Sequence, residues 1–267
     1  NVQQQGLIKN NLYQPELGTP SDLELVHCES YLWDLWHNQL SDKVMRRIGL
    51  PWSEALMART FTAPLGTLKT AELALEHGIA CHLAGGTHHA HYDFGSGFCM
   101  VNDLAFTATT LVKNKHVNNV LIFDLDVHQG DGTAAMLKHD PYVFTCSVHC
   151  EKNFPFRKHD SDLDIGLANN LSDTRYLDIV KNTLEGLIAD LNPDLVLYDA
   201  GVDVWEHDGL GKLDITWQGI EKRDALVLNT CQSAGVPVAT VIGGGYDRDH
   251  KRLAQRHAII VEQAALI

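Results

Sequence analysis

Four short runs of Val, Ile, Leu and Phe, each passing directly into a polar, glycine-containing segment, constrain this chain more than any other feature. They lie at 120–127 (VLIFDLDV), 142–148, 195–198 and 236–242, with a fifth at 79–83. Apolar runs of this length suit strands buried on both faces, as in a parallel sheet covered by helices. Between them lie four stretches with helical signals: 68–77 ending at Gly78, 103–112, 173–191 stopped before Pro193, and 217–233 ending at Gly235. The predicted fold class is α/β: one domain over 1–267, with a central, mostly parallel β-sheet flanked by helices on both faces. A chain of 267 residues fits one such core, and no internal repeat or low-complexity tract argues otherwise.

The segments that follow the runs are GGTHHAHYDFGSGFC, DVHQGDG, SVHCEKNFPF, DAGVDVWEHDGLG and GGGYD. In open α/β sheets ligands sit outside the carboxyl ends of the strands, so these five segments are expected to converge on one active site there.

Acidic residues outnumber basic ones, 34 against 21, for a net charge of −13. With no Lys/Arg-rich block, this balance argues against a nucleic-acid partner and favours a cationic substrate. The six cysteines form no C-x-x-C pair and read as reduced thiols of an intracellular protein, expected in the cytoplasm or in the nucleus of a eukaryotic cell, with the periplasm as an open alternative. No apolar run approaches the roughly 18 residues of a membrane helix, so no membrane association is expected. The opening NVQQQGLIKN lacks an initiator methionine and reads as entering a helix partway, so residues are expected upstream of it. Oligomeric state is not legible.

Within FDLDVHQGD, alternate side chains of an extended strand share a face, which groups Asp124, Asp126 and His128 opposite Phe123, Leu125 and Val127. Buried carboxylates without a partner are costly, so this strand end requires a cation or a network of donors. Carboxylate oxygen and imidazole nitrogen are good zinc ligands, and a catalytic zinc site keeps one position for water beside three protein ligands. A simple Asp–His hydrogen-bonded strand end would carry the same residues. Asp203, just after the apolar run DLVLYDAG, reaches the same end of the sheet as a third ligand or as an ordinary turn aspartate, and Asp208 reads as a turn aspartate. His88 and His89 follow a glycine turn and could move protons if carboxylates fix their tautomers, with Asp124 and Asp131 as partners; a surface His-His pair is the plainer reading. His91, His139, His149 and His207 read as surface histidines. Tyr246, after three glycines, is placed either to stabilise an oxyanion or to pack at a helix start.

In this order along the chain, GGTHHA, GFCMVND, DLDVHQGDG, AGVD, DGLG and GGGY resemble the signature of the histone deacetylase superfamily, and the similarity covers nearly the whole sequence. GLPWSEALMART and GIEKRD are similar to the class IV branch and its bacterial relatives. The resemblance implies an arginase/deacetylase-like domain in which Asp126, His128 and Asp203 hold a zinc ion. It implies His89 as general base and later acid, oriented by Asp131. It further implies His88 paired with Asp124, Tyr246 as donor to the oxyanion, and Gly97, Phe98 and Phe154 lining an acyl-lysine tunnel. A structural potassium ion around Asp124, Asp126, His128, Ser147 and Val148 is implied as well. The family's opening strand and rim loop are not visible in the sequence. The implied partner is an acylated lysine in a peptide or protein, bearing acetyl or a longer acyl group, or another acylated amine. An acetylpolyamine amidohydrolase and a binding module without catalysis are the competing readings, and the second is expected to have lost a ligand, a histidine or the tyrosine.

Overall fold

The computed structural model describes residues 2, 6, 7 and 11–267. The helix expected in the opening residues falls mainly outside these. Among the described residues, a six-stranded, wholly parallel sheet is built from β1 (Ile79–Cys81), β2 (Val120–Asp124), β3 (Val143–Cys150), β4 (Leu163–Leu167), β5 (Leu195–Asp199) and β6 (Val238–Val241). The helices are α1 (Glu29–Trp36), α2 (Asp42–Ile48), α3 (Glu54–His77), α4 (Asp103–Lys113), α5 (Asp131–Leu137), α6 (Asp173–Leu191), α7 (Trp217–Ala234) and α8 (His250–Ala264). The α/β class with helices on both faces is the one expected from the apolar runs.

Strand order is β1-β6-β5-β2-β3-β4. The chain steps outward from β2 through β3 to β4, then returns to lay β5 on the other side of β2. The direction of winding therefore reverses between β2 and β5, and a crevice opens there at the carboxyl ends. Alternation along β2 shows how both faces are used. Leu121 and Phe123 enter a core with α6, α7 and α8, whereas Val120 and Ile122 enter a second core with α3 and α4. A third apolar cluster, including Leu32, Ile48, Phe61 and Met100, packs α1 and α2 beside the start of α4, at the edge of the crevice.

Several boundaries differ from the sequence reading for identifiable reasons. The Leu125 N–H still donates to the Asp199 carbonyl at 3.1 Å, and the run 120–127 then leaves the ladder because side-chain carboxylates take the following backbone donors. Asp126 N–H donates to Asp124 Oδ1 at 3.0 Å, Val127 N–H to Asp203 Oδ1 at 2.9 Å and His128 N–H to Asp126 Oδ1 at 2.9 Å. Leu125 and Val127 nevertheless stay in the core, so the alternation of faces persists beyond the strand. The helix expected over 68–77 begins at Glu54, where Ser53 accepts from the Leu56 N–H, and it passes through Pro64. β4 escapes a search for continuous apolar runs because it is an edge strand with alternating burial.

Arg223 of α7 is fully buried and ties the helix to the crevice. Its guanidinium donates to the carbonyls of Gly201 and Ala200 at 2.6 and 3.1 Å and pairs with Asp224 at 2.9 Å. Replacing it by Met would leave the buried Asp224 carboxylate without its cation and two carbonyls without donors. Arg223→Met should lower unfolding stability by about 3–5 kcal/mol, as read from the urea midpoint at constant m-value.

Candidate active site

The ends of β2 and β5 deliver two adjoining polar clusters into the crevice. In the first, His128 Nδ1 lies 3.1 Å from Asp126 Oδ1 and 3.0 Å from Asp203 Oδ2, with all three residues buried. In the second, His88 Nδ1 lies 2.8 Å from Asp124 Oδ2 and 4.0 Å from Asp199 Oδ2. Within each trio the donor atoms lie within 4.8 Å of one another, the spacing expected of ligands around one ion. His88 Nε2 approaches Asp126 Oδ1 at 3.8 Å, so the two clusters touch.

Protonation within the first cluster shows what it lacks. Burial, reinforced by the charge of Asp126, pushes Asp203 up to about 7. Burial also opposes a charged His128, yet hydrogen bonding to Asp126 and Asp203 overrides it and raises the ring to about 10. A proton on His128 thus stands in for positive charge that two buried carboxylates demand. Two carboxylates and one imidazole suit zinc, with iron(II) or cobalt as chemically similar occupants. Gly244 leaves the required space: a Cβ there would fall against Asp203 Oδ2 and lie 2.6 Å from Asp126 Oδ2. Its N–H also donates to Asp126 Oδ2 at 2.7 Å, which ties the loop after β6 to the cluster.

The two histidines after the glycine turn are neither exposed nor equivalent. Their rings lie 4.2 Å apart. Burial disfavours charge on His88, but Asp124 and Asp126 override it and hold its pKa well above the ordinary value. Burial and the neighbouring His88 charge push His89 down to about 4. One ring therefore favours the cationic form and the other the neutral form, the separation expected of an electrostatic group beside a base. His89 Nδ1 is 2.6 Å from Asp131 Oδ1, and its Nε2 has no hydrogen-bond partner among the described residues. Asp131 also receives His91 at 3.1 Å, so His91 is a buried partner of the site and not the surface histidine anticipated. Burial opposes the charge of Asp131, but these hydrogen bonds override it and hold it well below the ordinary carboxylate range.

Tyr246 borders the same opening, its ring centroid 6.2 Å from that of His128. Burial and the nearby Asp203 and Asp126 push its pKa far up, so the phenol keeps its proton and acts as a donor. Its backbone N–H donates to Asp208 at 2.7 Å, so Asp208 positions the loop that carries the tyrosine.

A cavity of about 360 Å³ reaches this group from the surface and is lined by Gly97, Phe98, Phe154, His89, His128 and Tyr246 among others. Phe154 meets His89 edge-on at 4.9 Å, and Phe98 lies 5.7 Å from Tyr246. Gly97 and Phe98 both have positive φ, 52° and 66°, which is unusual for a phenylalanine. The turn is held by the Phe98 N–H donating to the Ile48 carbonyl at 2.7 Å. Any side chain at Gly97 would meet His89 at 2.5 Å and Phe154 at 3.0 Å, so only glycine lets the wall close over the base.

Ser147 stands beside Asp124 in the β2–β3 register, and Val148 follows it in the buried strand. The sequence reading did not single out Asp199, Asn153 or Arg223. Asp199 ends β5 within an apolar run, and Asn153 is buried against His128 Nε2 at 3.2 Å. Nothing in their local sequence marks either one.

A model of the histone deacetylase domain matches residues 1–263 of the chain. The chain belongs to the histone deacetylase family. It is 52% identical over 249 residues to an uncharacterized protein of Picosynechococcus sp., covering 93% of this chain and 83% of the relative. It is 30% identical over 261 residues to the acetoin utilization protein AcuC of Staphylococcus aureus, covering 90% of this chain and 67% of that protein. Histone deacetylase 2 of Arabidopsis thaliana is 28% identical over 251 residues, covering 91% of this chain and 65% of the plant protein. A crystal structure of a histone deacetylase homologue complexed with SAHA superposes with a TM-score of 0.84 at 26% identity, over 99% of this chain and 75% of that one. These relatives make the protein a deacetylase-type hydrolase by family. No described helix is long and apolar enough to cross a membrane.

Gly244→Ala places a methyl group where the donors of Asp126 and Asp203 converge. The variant should retain its fold by circular dichroism while its uptake of a divalent metal ion, measured by elemental analysis after dialysis, falls well below that of the parent protein.

Proposed function

We propose that this protein is a zinc-dependent deacylase that hydrolyses the amide of N-acyl-lysine, acetyl or longer, in peptides or proteins. The observation that carries the reading is that Asp126, His128 and Asp203 converge in one buried cluster, and that His128 of this cluster lines a cavity together with His89, Tyr246 and Phe98. Zinc, when held by those three side chains, polarises the amide carbonyl and makes water more acidic.

The chain's own residues account for the rest. His89, kept neutral and with Nδ1 committed to Asp131, offers Nε2 to take a proton from the attacking water. The same nitrogen hands that proton to the leaving amine. Asp131 fixes the tautomer, and His91 fixes Asp131. His88, cationic through Asp124, contributes positive charge where negative charge develops. Tyr246 donates its phenolic hydrogen to the oxyanion from the side opposite His89. Phe98 and Phe154 confine an apolar acyl-lysine stem, with the backbone of Gly97 beside the amide.

The potassium ion remains a family-based assignment to Asp124, Asp126, His128, Ser147 and Val148, which the pairing of Asp124 with Ser147 accommodates. The class IV assignment likewise rests on GLPWSEALMART and GIEKRD, and location in the cytoplasm on the cysteine pattern. No described cysteine forms a disulfide. A binding module without catalysis is disfavoured because the chain retains the three expected ligands, both histidines and the tyrosine.

His89→Ala and Tyr246→Phe should each lower kcat on an acetyl-lysine peptide by at least about 10²-fold, with little change in thermal midpoint. Wild-type turnover in either would refute its role. Chelation should abolish activity and stoichiometric zinc should restore it, whereas full activity in metal-free protein would end the zinc assignment.

A further inference from the structure

The mouth of the cavity carries a charge opposite to that of the chain. Arg46 and Arg47 of α2, Lys152 of the β3–β4 loop and Lys212 of the loop before α7 all line it, and no Asp or Glu does. In a chain with 34 acidic and 21 basic residues, a surface patch of average composition would hold more acids than bases. All four cations are exposed. Among the described residues, the Lys and Arg salt bridges engage Lys69, Lys138, Lys181, Arg223, Arg252 and Arg256 instead. The mouth therefore keeps its positive charge.

Two contacts hold that charge in place. Lys212 Nζ donates to the Lys152 carbonyl at 2.6 Å, which joins two loops and brings two like charges to the same side of the opening. Arg47 lies over the Phe94 ring at 4.0 Å, a cation–π contact that fixes its guanidinium without neutralising it. Of the acids near these cations in sequence, Glu151, next to Lys152, turns its carboxylate toward Gly166 of β4, and Asp208 is occupied by the N–H groups of Leu210, Gly211 and Tyr246. The lining also holds the apolar Phe98 and Phe154, and the cavity reaches the candidate metal cluster at His128.

We infer that this rim is an anion subsite that selects acylated amines bearing carboxylates about one lysine side chain away from the scissile amide. The inference rests on the deacylase reading and adds its substrate class. An acyl-lysine stem spans the apolar passage and leaves the groups flanking its α-carbon level with Arg46, Arg47, Lys152 and Lys212. Those groups are acidic side chains next to the acyl-lysine in a peptide, or the α-carboxylate of free acyl-lysine. Acetylated polyamines, whose far end is cationic, meet repulsion at the same place. Net charge is a property of the whole surface, whereas a substrate entering a low-dielectric cleft responds to the charges at its mouth.

Zinc-loaded protein would be assayed on three acetyl-lysine peptides that differ only in two flanking residues on each side: Asp/Glu, Ser/Gly or Lys/Arg. The expected kcat/KM order is acidic, neutral, basic, spanning at least about 10-fold at low salt and shrinking at 0.5 M NaCl, where screening is nearly complete at this range. Lys152→Glu/Lys212→Glu should reduce the spread to under about 2-fold or invert it. Arg46→Glu, which leaves the Lys212–Lys152 tether intact, should reduce it part-way. Faster turnover of free Nε-acetyl-lysine than of its α-amide would show that one carboxylate suffices, and equal rates with a preserved peptide order would assign the effect to neighbouring residues. Equal kcat/KM for the three peptides, or an acidic preference unaltered in the charge-reversed variants, would overturn the inference. Turnover of none of them would overturn the deacylase reading instead. In that event anisotropy of the fluorescein-labelled peptides decides the subsite: acidic-first binding supports it, and indifference refutes it.

Discussion

Four carboxylates buried at the carboxyl ends of two adjacent strands impose the constraint from which the rest of this structure follows. Asp124, Asp126, Asp199 and Asp203 are each at most 3% exposed, and such groups are tolerated only with compensation. The backbone supplies part of it, since the N–H groups of Asp126, Val127 and His128 turn onto the aspartates and thereby end β2. The imidazoles of His88 and His128, set against Asp124, Asp126 and Asp203, supply another part. Neither oxygen of Asp199 has a hydrogen-bond partner among the described residues, and burial together with Asp124 pushes that carboxyl toward its neutral form. Arg223 works one layer behind, holding the carbonyls that lead from Asp199 to Asp203.

How much of this was legible in the sequence depends on the range of the interaction. The sheet was legible because buried parallel strands must be continuously apolar, and Val120, Leu195 and Val238 begin such runs. The grouping of Asp124, Asp126 and His128 followed from alternation alone and survives where the chain is no longer a strand. The pairings of His88 with Asp124 and His89 with Asp131 were named as open partnerships, since spacing of 36 and 42 residues carries no geometric information. Asp199 was invisible because it ends an apolar run and looks like any strand-terminal aspartate. His91 was misjudged because a third histidine near a pair gives no sign that it shares the pair's carboxylate. β4 and the first half of α3 were lost to an edge strand's alternation and an internal proline, local features that tertiary packing overrides.

Electrostatics shows the same division between global and local. The acidic composition suggested a cationic substrate, yet the lining of the cavity is basic above and apolar below. Composition averages over a surface most of which a substrate never meets. The cations that matter come from α2, the β3–β4 loop and the loop before α7, and only the fold brings them together.

The turn at Gly97 and Phe98 is secured to the Ile48 carbonyl, and the Phe98 ring rests against Gly49, so one wall of the passage hangs from α2, a helix of seven residues outside the sheet. The opposite wall, at Phe154, belongs to a loop that springs from β3. The bore of the passage is thus a distance between a rigid post and a short lever. Any shift of α2 on its apolar bed would change the calibre of the passage and, because Phe98 packs beside Tyr246 and Phe154 meets His89 edge-on, would also be felt by the polar groups beneath, so girth and chemistry are mechanically coupled in this architecture.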